Sequence, residues 1–293
     1  MNLINSINLT QFAYQTSRIF GKLGYSKLSI YYKVVENYLP SYDVSLDILN
    51  KHNLFLILST GRTGSTWLSK LLNNPDRGVL VKHEPVPEEE HYHKIGISYP
   101  DKAQGYIQKL RLREMALRCM NTKPVIYGEV NTNLGPFAKI IKNLIPETKV
   151  LHIVRDGKEY VRSVMNRTSY SEKDSNQHDI LPVGFERKVW DNYSRFQKIC
   201  ILWSYENKLL RQHSDKSIKY ENLFDSYDRF KDLILSPLNL DIDLSEKWKN
   251  MNNKIVNPSS EYIFPKYENW TQNQKEIFHS MCETEMRQYS YSI

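Results

Sequence analysis

An apolar run, Leu54-Phe55-Leu56-Ile57-Leu58, passes straight into Ser59-Thr60-Gly61-Arg62-Thr63-Gly64-Ser65-Thr66-Trp67. Consecutive apolar residues without alternation read as a strand buried on both faces, as in parallel sheets. Gly64 to Asn73 reads as a helix, ended by Asn73-Asn74-Pro75. A buried strand, a glycine turn and a helix in that order form an anion cradle. Backbone N–H groups and the positive end of the helix dipole converge on one spot there. Gly61 and Gly64 permit the tight backbone. Arg62, Ser65 and Thr66 add donors for phosphate oxygens.

The same rhythm continues along the chain. Gly78–Lys82, Pro124–Val130, Lys149–Val154 and Ser217–Tyr220 read as further strands. Tyr106–Met120, Gly135–Leu144, Gly157–Arg167, Phe185–Arg211 and the closing stretch Trp270–Tyr289 read as helices. Strands alternating with helices predict an α/β fold, a central parallel sheet covered on both faces. That domain is expected over residues 51–293, behind a helical extension at 1–50. Phe12 to Leu39 carries Arg18, Lys22, Lys27 and Lys33 among apolar residues. It admits peripheral membrane contact or, in the plainer reading, one or two helices covering the core. The polar stretch from Thr168 to Gly184 reads as either a lid or a surface loop.

Composition narrows the partners. A net charge of +7 over 293 residues suits an anionic ligand. There is no dense Lys/Arg run and no zinc-finger spacing, so nucleic acid is not expected. Cys119, Cys200 and Cys282 are widely spaced and form no CxxC pair, which fits neither a disulfide framework nor a structural zinc site. A reducing, cytoplasmic setting is expected, because neither a secretion signal nor a bilayer-length apolar stretch is recognisable.

A second anion site is expected at the end of the fourth strand. Val150-Leu151-His152-Ile153-Val154 runs into Arg155-Asp156-Gly157-Lys158, and Ser163 follows two helical turns later. Arg155 and Ser163 then converge on one point, unless Arg155 merely pairs with Asp156. The first loop is not a Walker A motif, which requires a Lys between its second glycine and the hydroxyl residue. Here the cation, Arg62, precedes Gly64. Asp156 ends its strand as a Walker B residue would, so a P-loop nucleotide kinase stays open as an alternative.

The pairing of STGRTGSTWL with VRDGKEYVRSVMNR resembles the two nucleotide-binding segments of the sulfotransferases that use 3′-phosphoadenosine 5′-phosphosulfate (PAPS). Ile218-Lys219-Tyr220-Glu221-Asn222-Leu223 is similar to that family's RYEDL-type segment, and Trp270 to Tyr289 to the tail of bacterial members. The resemblance implies a three-layer P-loop-type fold with PAPS as co-substrate. It places Gly61, Arg62, Thr63, Gly64, Ser65, Thr66 and Trp67 around the 5′-phosphosulfate, and Arg155 and Ser163 at the 3′-phosphate. Tyr220 joins the nucleotide site, and Lys266 stands in for the cation of an absent GxxGxxK tail motif. The Arg-type loop looks more like the carbohydrate and tyrosyl-protein branches. A carbohydrate acceptor is therefore expected first, with protein tyrosine or a small metabolite open. The chain departs from the family at Gly128-Glu129-Val130-Asn131, where some members carry a Lys, and at Arg155-Asp156-Gly157, where RDP is usual. Those departures keep a non-catalytic nucleotide-binding module open.

In an open α/β sheet the ligand sits at the carboxyl ends of the strands. Gly61, His83, Glu84, Glu129 and Arg155 all fall there. The resemblance implies Glu84 as the general base, because carbohydrate and tyrosyl-protein sulfotransferases carry a catalytic Glu just after the second strand. His83 is its rival and Glu129 the third candidate. Strand alternation would point His83 and Glu84 to opposite sides. Arg62 is expected to neutralise the leaving phosphate, with no metal required. Glu88 to His93 reads as a solvated loop rather than a metal site. Arg111, Arg113 and Arg118 read as a basic helix face, either solvated or gripping an anionic acceptor.

Overall fold

A computed structural model describes residues 6–24, 26–121, 125–168, 170–171, 180–252 and 263–293. Three helices come first: α1 (Ser6–Lys22), α2 (Lys27–Val35) and α3 (Tyr42–Asn50). The sheet region follows as β1 (Asn53–Leu58), α4 (Ser65–Leu72), β2 (Val79–His83), α5 (Glu90–Ser98) and α6 (Pro100–Tyr106). A π-helical turn at Ile107–Arg111 leads into α7 (Leu112–Asn121). Then come β3 (Ile126–Asn131), α8 (Ala138–Leu144), β4 (Lys149–Val154), α9 (Gly157–Met165), α10 (Arg187–Asn192) and α11 (Arg195–His213). The chain finishes with β5 (Lys216–Lys219), α12 (Tyr227–Phe230), α13 (Ser245–Asn252) and α14 (Gln272–Gln288).

The five strands form one parallel sheet in the order β2-β3-β1-β4-β5. The expected α/β architecture is therefore the observed one, and each expected strand lies within two residues of its place. Pro124, the expected start of the third strand, lies outside the described residues. The winding direction reverses around β1, and that reversal sets a crevice at the carboxyl ends of β1, β3 and β4.

β1 is buried on both faces because its residues serve two cores. Phe55 and Ile57 meet Trp67, Leu68, Leu71 and Leu72 of α4. Leu54, Leu56 and Leu58 meet a layer that contains Tyr31, Val35 and Leu49 from α2 and α3. Gly128 of β3 lies under the Phe55 ring, where a Cβ would stand 2.1 Å from a ring carbon. The amphipathic reading of residues 12–39 resolves into α1 and α2, with Ala13, Tyr31 and Val35 buried while Phe12, Ile19 and Leu23 stay exposed. No helix among the described residues is long and apolar enough to cross a membrane.

The expected basic face of residues 111–118 is not a surface, and it offers no grip for an acceptor. Arg111 is fully buried. Its Nε donates to Glu89 at 2.5 Å, its Nη1 to Glu114 at 2.6 Å and its Nη2 to Glu129. Arg118 is buried too and donates to Glu114 and, at 2.7 Å, to the Tyr31 hydroxyl. Arg113 instead ties the chain at Leu39 and Pro40 through their carbonyls. The hydroxyls of Tyr31, Tyr106 and Tyr127 donate to Glu114, Glu89 and Glu129. Full pairing is what makes buried charges tolerable. Burial holds the Glu89 carboxyl above its usual range despite the facing Arg111 guanidinium.

Glu89 also corrects the solvated-loop reading of residues 88–93. It is completely buried, α5 begins at Glu90, and His93 pairs with Glu206 at 3.2 Å. Most of the polar stretch 168–184 lies outside the described residues.

Arg111→Met would strand three buried carboxylates and is expected to destabilise the protein by about 3–5 kcal/mol, measured by urea unfolding. A loss below about 1 kcal/mol would contradict this account of the cluster. His152 of β4 is fully buried between Asn207 and Ser217, at 2.9 and 3.0 Å, and burial pushes its pKa down to about 4. The unfolded chain takes up this proton below about pH 6.5 while the native state refuses it. Stability from this residue is thus full above pH 6.5, falls as pH drops toward about 4, and levels off below. Between those limits the stability gap between wild type and His152→Gln should narrow by up to about 1.4 kcal/mol per pH unit. A gap independent of pH would overturn the assignment.

Candidate functional site

The loop from Ser59 to Gly64 joins β1 to α4 at the carboxyl edge of the sheet. Gly61, Arg62 and Gly64 all have positive φ, at +89°, +59° and +69°. Thr63 Oγ1 donates to Ser59 Oγ at 2.7 Å, and the Gly61 N–H donates to the same hydroxyl at 3.3 Å. These bonds fold the loop over itself. Gly64 stands at the N-cap of α4 without a side-chain cap, so the first-turn N–H groups of that helix face the crevice. A Cβ on Gly64 would lie 3.1 Å from the Tyr220 ring. The Thr60 hydroxyl is buried in the same loop with no partner among the described residues. An unsatisfied buried donor and an uncapped helix end suit an anionic ligand.

The second expected anion site closes onto the first. Arg62 Nε donates to Ser163 Oγ of α9 at 2.9 Å, and Arg155 Nη1 donates to the Arg62 carbonyl at 2.9 Å. Arg62, Arg155 and Ser163 therefore meet, although 101 residues separate the first from the last. Arg155 does not pair with Asp156. Its carboxylate partner is Glu159 at 3.7 Å, while Asp156 caps α9 by accepting the Lys158 N–H at 2.8 Å. The Arg155 guanidinium stacks over Tyr220, 5.4 Å from the ring centroid. Glu221 fixes this corner by accepting from the Asp156 N–H and from Tyr291.

Two expected nucleotide residues sit differently. The Trp67 indole is packed in the core against Phe224 and Phe230, so only its backbone can face an anion. Lys266 is exposed just before the turn at Tyr267–Asn269, with no contact to the loop among the described residues.

Glu84 and His83 come together instead of diverging. His83 ends β2 and places Nε2 at 2.9 Å from Ser65 Oγ and 3.5 Å from Thr66 Oγ1. Glu84 follows with φ of +39°, left-handed backbone that breaks the strand's alternation. Its Oε1 lies 3.9 Å from His83 Nε2 and accepts from Thr132 Oγ1. Thr132 in turn lies beside Gly61, its methyl 3.8 Å from where a Cβ there would stand. One threonine thus connects the carboxylate to the anion loop. Sequence reasoning passed over Thr132, whose only signal was its place just beyond the third strand. Glu129, the third candidate base, is sealed in the Arg111 cluster and cannot reach a substrate.

No protein-family model and no curated protein matches the chain. Among solved structures, a sulfotransferase from Alicyclobacillus acidocaldarius aligns over 82% of this chain and 96% of its own, at 13% identity and a TM-score of 0.47. A likeness of that degree assigns no function, so the chemistry of the site must carry the reading.

Gly64→Ala should destabilise the protein by about 1–2 kcal/mol, since the position needs left-handed backbone next to Tyr220. Gly105→Ala, where an added Cβ meets nothing within 4 Å, should be neutral or stabilising by up to about 1 kcal/mol. Equal effects in thermal unfolding would remove the special role given to Gly64.

Proposed function

We propose that the protein is a sulfotransferase that uses PAPS as donor and a carbohydrate hydroxyl as its first-choice acceptor. The observation that carries this is the meeting of Arg62, Arg155 and Ser163 at the uncapped end of α4. It supplies two adjoining anion sites, one on the β1 loop and one at the β4–α9 corner. A nucleotide with phosphates at both its 3′ and 5′ positions needs that pair. A nucleoside triphosphate, with its phosphates in one chain, would call for the Walker Lys and a free strand-end carboxylate. The loop has no such Lys, and Asp156 is engaged in capping α9.

When bound, the donor supplies an activated sulfuryl group whose S–O bond to the 5′-phosphate breaks as the acceptor oxygen bonds to sulfur. The protein's part is positioning and charge. The Arg62 guanidinium, held by Ser163, and the α4 N-terminus face the phosphate that gains negative charge. Glu84, held by Thr132, takes the acceptor's proton. His83 sits between Glu84 and Ser65, so it orients the Ser65 hydroxyl toward the phosphate and serves as the alternative proton acceptor. The Arg-type loop and a glutamate at the end of β2 fit a carbohydrate or a protein-tyrosine acceptor, and the surplus of aromatic residues, 20 Tyr and 5 Trp, favours the carbohydrate.

Thermal unfolding with 3′,5′-diphosphoadenosine, 5′-AMP and ATP with magnesium tests the reading. A ligand at a hundred times its Kd stabilises the native state by about 2.7 kcal/mol. The midpoint should rise by roughly 5–10 °C with the diphosphate, and Arg155→Ala should abolish that rise. A rise with ATP and magnesium alone would favour a nucleotide kinase. Glu84→Gln should lower turnover by about 10²–10⁴-fold while the diphosphate still stabilises the variant. Near-normal turnover would eliminate Glu84 as the base.

A further inference from the structure

A cleft of about 170 Å³ opens between the end of β2 and the first helix, with Lys82, His83 and Glu84 on one side and Gln11 and Tyr14 of α1 on the other. Strand alternation explains its position. Val79, Val81 and His83 face α4, whereas Leu80 and Lys82 face the layer formed by the N-terminal helices. The cleft therefore opens mainly on the side of β2 away from the α4 N-terminus, and His83 and Glu84 stand where the two sides meet.

Lys82 is the unexplained group in this cleft. It is partly buried, and burial together with the Arg118 charge pushes its pKa down, while Glu114 and Glu129 pull more weakly the other way. Yet no hydrogen bond or ion pair engages its ammonium among the described residues. Arg118, which also lines the cleft, has its charge taken up by Glu114. Glu84, the carboxylate in the cleft, accepts from Thr132. A partly desolvated cation whose ammonium is bonded to no carboxylate gains from a ligand that brings the anion. Lys82 and Glu84 lie two residues apart at the end of β2, and both line the cleft that a saccharide would enter. The half-exposed Tyr14 ring and the exposed Gln11 amide offer a flat face and hydrogen bonds of the kind a sugar uses.

We propose that this cleft is the acceptor subsite and that Lys82 binds a carboxylate or sulfate group on the acceptor, so that the preferred acceptors are anionic saccharides. The proposal rests on the sulfotransferase reading above and narrows its substrate class.

The test uses the full chain saturated with 3′,5′-diphosphoadenosine and titrated calorimetrically with three matched disaccharides. One carries a glucuronate, one carries glucose in its place, and one is the glucose form bearing a sulfate. At least one charged disaccharide should bind wild type about ten- to a hundredfold more tightly than the neutral one. The tighter of the two identifies the anion. Raised ionic strength should erode the advantage. Lys82→Met should abolish the advantage and Lys82→Arg should keep most of it. Gln11→Glu, an exposed position on the far wall, should reduce it severalfold without touching a buried group. Equal binding of all three, no binding of any, or an advantage unchanged within twofold in Lys82→Met and Gln11→Glu would overturn the proposal. Thermal stabilisation by the diphosphate, recorded on the same samples, separates the two levels. If it persists, only the subsite is wrong; if wild type shows none, the sulfotransferase reading falls first.

Discussion

The fully buried Arg111 guanidinium organises the half of the molecule that carries Glu84. It binds Glu89 at the start of α5, Glu114 on α7 and Glu129 on β3. Through Arg118 and Tyr31 the network reaches α2, and through Asn131 it reaches the end of β3 just before Thr132. Three carboxylates face two guanidiniums, and burial holds the Glu89 carboxyl above its usual range. A charged core of this kind is strongly destabilised by loss of one partner. It therefore dictates where α2, α7 and β3 sit, and hence where the end of β2 must turn.

That turn has chemical consequences. Arg118 also reaches the Pro85 carbonyl, at 3.4 Å, directly after Glu84. The left-handed backbone at Glu84 is strained for a residue with a side chain and persists only where its surroundings hold it. Arg118 on one side and Thr132 on the other supply that hold. The result places a carboxylate, an imidazole and the anion loop within contact of one another, with the Lys82 cleft alongside.

The other half of the site depends on local chemistry. The loop from Ser59 to Gly64 is closed by its own hydroxyls, and α9 is capped by Asp156 immediately after Arg155. Those short-range bonds explain why the two segments are recognisable one at a time. What joins them is the bond from Arg62 Nε to Ser163 and the bond from Arg155 to the Arg62 carbonyl, with Arg155 also stacked on Tyr220.

The strands, their parallel arrangement and the two corners that carry Arg62 and Arg155 were legible in the sequence, because each is written in neighbouring residues: an apolar run, a glycine turn, an Arg at a strand end. Helical spacing also made Arg111, Glu114 and Arg118 neighbours, but it could not say whether they faced water. Only the packing of α2, α3 and β3 over that face decided that these charges are core and that Glu129 is sealed, and only Phe224 and Phe230 made Trp67 a core residue. Strand alternation misplaced Glu84 against His83, since the contacts that twist the backbone there come from Thr132 and Arg118, far away in the chain. The exposure of Lys82 to a cleft was equally unreadable, because the opposite wall is α1, some seventy residues earlier. Periodicity and turn chemistry are local properties of a chain; which charges lose their water is settled by surfaces that meet only in the folded molecule.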